Sequence, residues 1–309
     1  MPCQCYYELV KEHRGDWILK ASCTVNGDVL TASGTATLTV MKDISLTNEQ
    51  CKSVEGINAA LEAKIGELQE KGAKSEADMY TITAYLTDTD PNVYCGQIWI
   101  KNWQVDGVEL WVQIMGVGQN QGVQNIPVTL SGGIYSDTIP FSVAGINFKG
   151  AGKYNGQYRK TWEDGPNKGN RNVAFDGGSM SNVSNCTFTG YDIAIKCGTS
   201  LRMFGRYNTF TKNHIAWKLS EECEGDGNPD AQSCVFKDND YALYVEKFNG
   251  FPSNYAPRYC RFIDNGYDVY NGSGRWWFLP GNYFEHEEDR KIVYDTSADA
   301  TPVFCYPMA

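Results

Sequence analysis

The sequence has no apolar run approaching the roughly 18 residues that a membrane-spanning helix requires, and it has no basic block. Its 27 Lys and Arg are outnumbered by 37 Asp and Glu, for a net charge of −10, and the positive residues are scattered. That balance argues against nucleic acid or an anionic membrane as partner; a neutral or cationic ligand, or a metal ion, fits better. Histidine is scarce: His13, His214 and His286 lie far apart and make no metal spacing. No G-x-S-x-G or P-loop is present, and Gly116–Gly122 and Gly150–Gly156 only approximate a dinucleotide fingerprint. The start, Met1-Pro-Cys-Gln-Cys-Tyr-Tyr, lacks the basic flank and apolar core of a secretory signal. A removed leader, retention in the cytosol, or release by lysis as a virion component would each fit. Helical periodicity is confined to one segment.

What is present is a repeat. Phe188, Phe210, Phe236, Phe262 and Phe284 sit in nearly the same context, at spacings of 22, 26, 26 and 22 residues. Cys or Asn stands two before each Phe, an outward residue lies between them, and Asn213, Asn239 and Asn265 follow three residues after theirs. A second alternating segment then begins, as in Ile193-x-Ile195 and Tyr241-x-Leu243. Period two marks strands, and asparagine suits a tight corner. A unit this short cannot bury its own apolar face, so it must stack on copies of itself. Short strand, asparagine corner, short strand and variable loop describe one coil of a parallel β-solenoid.

These coils resemble those of right-handed parallel β-helix proteins of the pectin-lyase-like superfamily, with stacked aromatics, Cys/Asn ladders and an asparagine ladder at one bend. Val108–Gly118, Val128–Gly133 and Ile146–Gly150 look like earlier coils. The resemblance implies an all-β fold over roughly the last two thirds of the chain. It implies no single activity, because this architecture carries lyases, hydrolases, adhesins and viral spikes. The superfamily's familiar catalytic patterns, Gly-His-Gly, a paired Asp-Asp at a coil end, and Arg-x-Pro-x-x-Arg, are missing.

The N-terminal part reads differently. Trp17–Val25 and Val29–Ser33 flank Asn26-Gly27-Asp28, a hairpin signal, and Thr35–Val40 adds a strand. Residues 47–71 form the one convincing helix, with Thr47 and Gln50 as a capping box and Gly72 at its end. Val54, Ile57, Leu61, Ile65 and Leu68 make a single stripe, which we expect to cap the open first coil; a trimeric stalk is the alternative, though strict heptads would bury Lys64. The expected division is 1–78 as hairpin plus capping helix and 79–309 as parallel β-helix.

Two long excursions, 151–171 and 220–233, interrupt the coils, and function tends to sit on such loops. Tyr154, Tyr158 and Trp162 in the first, and Arg275 with Trp276 near the end, are the expected glycan-binding residues, since sugars stack on aromatics ringed by polar groups. Asp238 and Asp264 occupy one corner column, between Lys212 and His286. About 5 Å apart, they would suit acid/base work or a cation, or simply form a solvated ladder. Asp226, Asn228 and Asp230 resemble the start of a calcium loop without its glycine or bidentate Glu. Of the eleven cysteines, Cys186, Cys234 and Cys260 read as stacked buried thiols.

The reading favoured by the sequence is a non-catalytic, glycan-binding or adhesive β-helix on a virion or bacterial surface. It requires no cofactor, leaves Ca2+ as an optional ligand, involves no nucleic acid or membrane insertion, and permits a homo-oligomer. The alternatives are a polysaccharide lyase or glycoside hydrolase using Asp238 and Asp264, and a purely structural assembly module.

Overall fold

The computed structural model describes residues 15–25, 28–117, 120–121, 124–125, 127–177, 181–197, 203–219, 229–246, 257–272, 277–285, 292–294 and 303–306. The chain is a parallel β-helix; among the described residues it is all-β apart from one α-helix and a short 3-10 turn. Each full coil carries three short strands. In one coil they are Met203–Arg206, Thr209–Thr211 and Ile215–Leu219; in the next they are Pro229–Gln232, Val235–Lys237 and Tyr241–Val245. All pair in parallel and in register, with Gly205 opposite Ala231, Phe210 opposite Phe236 and Trp217 opposite Leu243.

The first face is a seven-stranded sheet that opens with Met41–Ser45 and Met79–Leu86. Chain on both sides of residue 78 therefore contributes to one sheet. The second and third faces merge in a fourteen-stranded sheet through the long strand Val128–Ser136. Its first half pairs with Ile146–Lys149 and its second half with Val173–Gly177. Gly132 makes that bend possible: its φ is +140°, and a Cβ there would collide with the Gly96 carbonyl.

The phenylalanine column forms as expected and gains a member. Phe148, Phe188, Phe210, Phe236, Phe262 and Phe284 stack with centroids 4.7–5.0 Å apart and planes within 8°, all buried. Asn239 accepts from both the backbone N–H and the side-chain amide of Asn213, each at 3.0 Å, and donates to the Phe210 carbonyl at 3.0 Å. Asn265 repeats the arrangement one coil on. At the head of the column stands Tyr191, whose N–H donates to Asn213 and whose hydroxyl donates to the Gly132 carbonyl. In the inward column two residues before the phenylalanines, Asn208 accepts from the Cys186 N–H and Asn282 from the Cys260 N–H. Cys186, Cys234 and Cys260 are buried free thiols. Burial pushes the Cys186 thiol up to about 12, and burial beside Cys234 pushes the Cys260 thiol well above the usual range.

The first-face strands Ser181–Ser184, Met203–Arg206 and Pro229–Gln232 were expected to be loop. Four polar or irregular residues carry no readable alternation, and their inward members Val183, Gly205 and Ala231 are small or modest. Size is the reason they are there: a Cβ on Gly205 would lie 2.8 Å from the Trp217 ring. The helix also differs from expectation. It runs Val54–Lys71, capped by Ser53 and ended by Gly72 at φ +63°. Thr47 and Gln50 do exchange hydrogen bonds, but around the turn ahead of it. Its stripe is buried as expected. Asn58 donates to the Gln97 carbonyl and accepts from the Trp99 N–H, both at 2.9 Å. The helix thereby covers the open edge of Tyr94–Ile100, the first strand of the third face. The hairpin forms as one ribbon, Gly15–Val25 against Asp28–Leu38, so the two later strands are one; Asn26 and Gly27 lie outside the described residues.

Phe236→Ala should lower unfolding free energy by about 3–5 kcal/mol, read by denaturant titration. Asn239→Ala should cost about 1–3 kcal/mol for each buried group it leaves unpaired, although the side chain removed is polar. The buried thiols of Cys186, Cys234 and Cys260 should resist a thiol reagent in the native protein and react once it is unfolded.

Candidate functional site

Each coil needs two left-handed residues, one on either side of the phenylalanine strand. The second of these columns holds Gly190, Lys212, Asp238 and Asp264, at φ between +49° and +81°. Asp238 and Asp264 are thus neighbours at a corner that backbone geometry already explains, since Gly and Asp tolerate this region better than most residues. Asp264 is exposed and Asp238 half-buried.

Two residues further along each coil, a different column begins the third face. Backbone hydrogen bonds from Ile215 to Asp192 and from Tyr241 to His214 set Asp192, His214 and Asp240 on successive coils. His214 Nδ1 lies 2.9 Å from Asp240 Oδ2, which favours the tautomer protonated at Nδ1 and leaves Nε2 to accept a proton. Partial burial raises the Asp192 carboxyl pKa, opposed by His214, Lys160 and Lys218.

The 151–171 excursion leans over this column. Asn172, fully buried, accepts from the Ala151 N–H at 2.9 Å and donates to the Arg159 and Gly190 carbonyls, so the loop's two ends are tied together. Within it Lys153–Tyr154 and Gln157–Tyr158 make a small hairpin around Asn155-Gly156. Tyr158 meets His214 at 6.1 Å between centroids, with Lys153 Nζ 4.2 Å above its ring and 3.8 Å from Asp240. Burial, with Asp240 and Asp238 nearby, raises the Tyr158 phenol pKa far above its usual range. Tyr154 is exposed beneath Arg159, and Trp162 is partly exposed. Of the expected binding residues, then, Tyr158 joins a cluster while Tyr154 and Trp162 remain on the loop's outer side. Arg275, Trp276, Asp226 and Asn228 lie outside the described residues, as does the side chain of Asp230. Among the described residues no group of three acidic, His or Cys side chains could hold a metal.

Sequence reasoning missed an outward column that runs the length of the third face. Strand register places Trp99, Tyr135, Asp176, Lys196, Lys218, Tyr244 and Tyr270 one above another. Charges along it are paired: Asp176 with Arg171 and Lys196, and Lys218 with Glu246 at 2.6 Å. Tyr244 and Tyr270 stack 4.6 Å apart, and Tyr241 and Tyr267 stack beside them at 4.9 Å. Their ring faces are therefore largely taken up, and the quartet presents edges and hydroxyls. Trp99 differs. It is 43% exposed, tilted 55° to Tyr135, and it borders two depressions. One, of about 280 Å³, lies among Gln97, Tyr135, Asn170, Arg171 and Asp176; the other, of about 530 Å³, lies against the helix at Asn58, Glu62 and Lys101. The column was readable in principle eight residues after each phenylalanine. Its two aromatic members in the early coils, however, precede the recognisable repeat.

Trp103 and Trp111 line a separate depression of about 610 Å³. There Trp103 packs on the core and the Trp111 indole N–H donates to Ser142. No helix among the described residues is long and apolar enough to cross a membrane. Comparison with protein-family models, with curated proteins and with solved structures returns no match to this chain.

Because its folded-state pKa is raised, Asp192 binds its proton more tightly in the folded than in the unfolded chain. It should therefore cost stability as pH rises from the ordinary Asp range through the raised value. Asp192→Asn should match wild type at low pH and exceed it above that window, as read from melting temperature against pH.

Proposed function

We propose that the third face binds a neutral glycan chain laid along the solenoid axis, and that the protein serves as a surface adhesin on a virion or bacterium. The observation that carries this is the unbroken outward column from Trp99 to Tyr270. Trp99 and Tyr135 supply a platform for a sugar ring, and Gln97, Asn170, Arg171 and Asp176 supply directional hydrogen-bonding groups around it, the composition expected of a sugar site. Mutual pairing of the charges leaves the track polar but close to neutral, which favours hydroxyl-rich ligands over ionic ones. Kinship with the pectin-lyase-like superfamily is supported by the stacked rings and asparagine ladder, and remains part of this proposal.

A second reading, cleavage of the bound chain, is favoured by one arrangement: Asp192, His214 and Asp240 in column under Tyr158. Asp192, held toward its protonated form, would act as acid and His214 as base. Binding ranks first because the platform and the paired track form a complete surface with no bond-breaking step required of them.

Neutral oligosaccharides of increasing length should bind with affinity that grows over several units in calorimetric titration. Trp99→Ala should weaken binding about tenfold, ~1.4 kcal/mol, without changing the melting temperature. Equal affinity for wild type and Trp99→Ala would remove the platform from the argument. Turnover of any such glycan by wild type, abolished in His214→Ala, would establish the second reading instead.

A further inference from the structure

The corner that precedes the phenylalanine strand is the other left-handed position of each coil. Its column reads Gly145, Asn185, Tyr207, Ser233, Tyr259 and Gly281, all at positive φ. Glycine and asparagine accept that geometry readily; a bulky aromatic adopts it only under strain. Yet Tyr207 and Tyr259, at φ +57°, are 64% and 59% exposed. The fold needs only a residue that can turn the chain, and exposed rings contribute little to its core. Tyr259 lies across Gly281, where a Cβ would come within 3.3 Å of the ring.

Basic residues stand next to this corner along the chain and on the strand that follows it. Arg206 precedes Tyr207, Arg258 precedes Tyr259, and Arg261 sits 5.6 Å over the Tyr283 ring. The Gln232 side-chain oxygen, turned toward Arg258, receives its Nε and Nη2 at 3.0 Å each and so fixes the guanidinium. Arg206, Lys237 and Arg261 have no ion pair among the described residues. Across the outward columns of this corner and its strand, Lys149 joins these cations and Glu285 is the only carboxylate among the described residues. On a chain with net charge −10, cations outnumber carboxylates here even when Asp238 and Asp264, at the far corner of the same strand, are included. This excess is hard to see in the sequence, because apart from Arg258 and Arg261 its members are separated by 20 residues or more and only the coil repeat brings them together.

We propose that this corner binds a polyanionic glycan, with Arg206, Arg258 and Arg261 holding its sulfate or carboxylate groups and Tyr207 and Tyr259 lying against its sugar rings. Guanidinium forks match both oxyanions. A ridge one corner wide suits a flexible chain laid along it better than a flat protein partner. The overall charge of −10 opposes every polyanion alike, so single-stranded DNA is the competing ligand that the test must exclude. This surface is on the other side of the phenylalanine strand from the Trp99 track and differs from it in charge, so each can fail without the other.

The test is titration of the full-length protein with a heparin-derived hexasaccharide, a polygalacturonate hexasaccharide and a single-stranded DNA of matched charge. Wild type should bind one or both glycans, identifying sulfate or carboxylate as the recognised group, and release them as salt is raised. Arg206→Gln/Arg261→Thr should weaken binding at least tenfold. Tyr207→Asn/Tyr259→Asn should weaken it at least fivefold while the melting temperature holds or rises, because asparagine relieves the strained corner. Neutral-glycan binding that depends on Trp99 should be unchanged in both variants. No retention of either glycan by wild type, DNA held as tightly as the glycans, or full affinity in the tyrosine variant would each overturn the proposal.

Discussion

The hydrogen-bonding distance between parallel strands is the constraint on which the rest of the molecule depends. At about 4.8 Å it is also close to the distance at which aromatic rings stack, and to the reach of an asparagine amide toward the coil beside it. Every column is therefore a set of side chains forced into contact with their counterparts. Inside, the successful answer is sameness: phenylalanine on phenylalanine, amide on amide. Outside, like charges in contact repel, and much of the surface alternates, although Asp238 and Asp264 stand together at one corner. Asp192, His214 and Asp240 follow one another in one column, and Asp176 meets Lys196 in another. Where two lysines do fall together, Lys196 and Lys218, each is drawn aside by its own carboxylate.

The corners answer a different requirement. Two left-handed residues per coil, five positions apart, fold the chain around the three-residue phenylalanine strand. Such corners are also where chain can be added without breaking a ladder. The 151–171 excursion leaves after Gly150 and returns at Asn172, whose amide repairs the interrupted bonding. That placement lets one loop touch two parts of the third face: Tyr158 reaches His214, and Arg171 reaches Asp176.

What could be read from sequence followed from repetition. The phenylalanine stack, the asparagine corner and the parallel pairing were legible because Phe210, Phe236, Asn213 and Asn239 recur in phase. The first-face strands were not, because Ser-Asn-Val-Ser and Pro-Asp-Ala-Gln are selected for small inward volume and show no alternation. The early coils carry Leu130 and Val128 where later ones carry Phe and Cys, so Trp99 and Tyr135 could not be aligned with Tyr244. Of the site, Tyr158 was legible as a loop aromatic. The histidine beneath it was not, since His214 gains its partners only through register with coils on either side. The helix start was displaced because a sound capping pattern at Thr47 serves a turn, while Ser53 caps the helix.

The asparagine ladder has one further consequence. Each amide nitrogen donates to the following coil's amide oxygen and to the preceding coil's phenylalanine carbonyl, and each amide oxygen accepts from the preceding coil, so the ladder has a direction and its two ends are chemically unlike. Tyr191 closes one end through its hydroxyl, and Asp268 receives the last amide, from Asn265, at the other. Between those terminators every coil is interchangeable with its neighbour. Lengthening or shortening the protein by one whole turn leaves both terminators satisfied, whereas gain or loss of a residue between the phenylalanine and its corner asparagine strands a buried amide. The loops between strands absorb the difference between coils of 22 and 26 residues, while the strand-and-corner segment changes only as a whole.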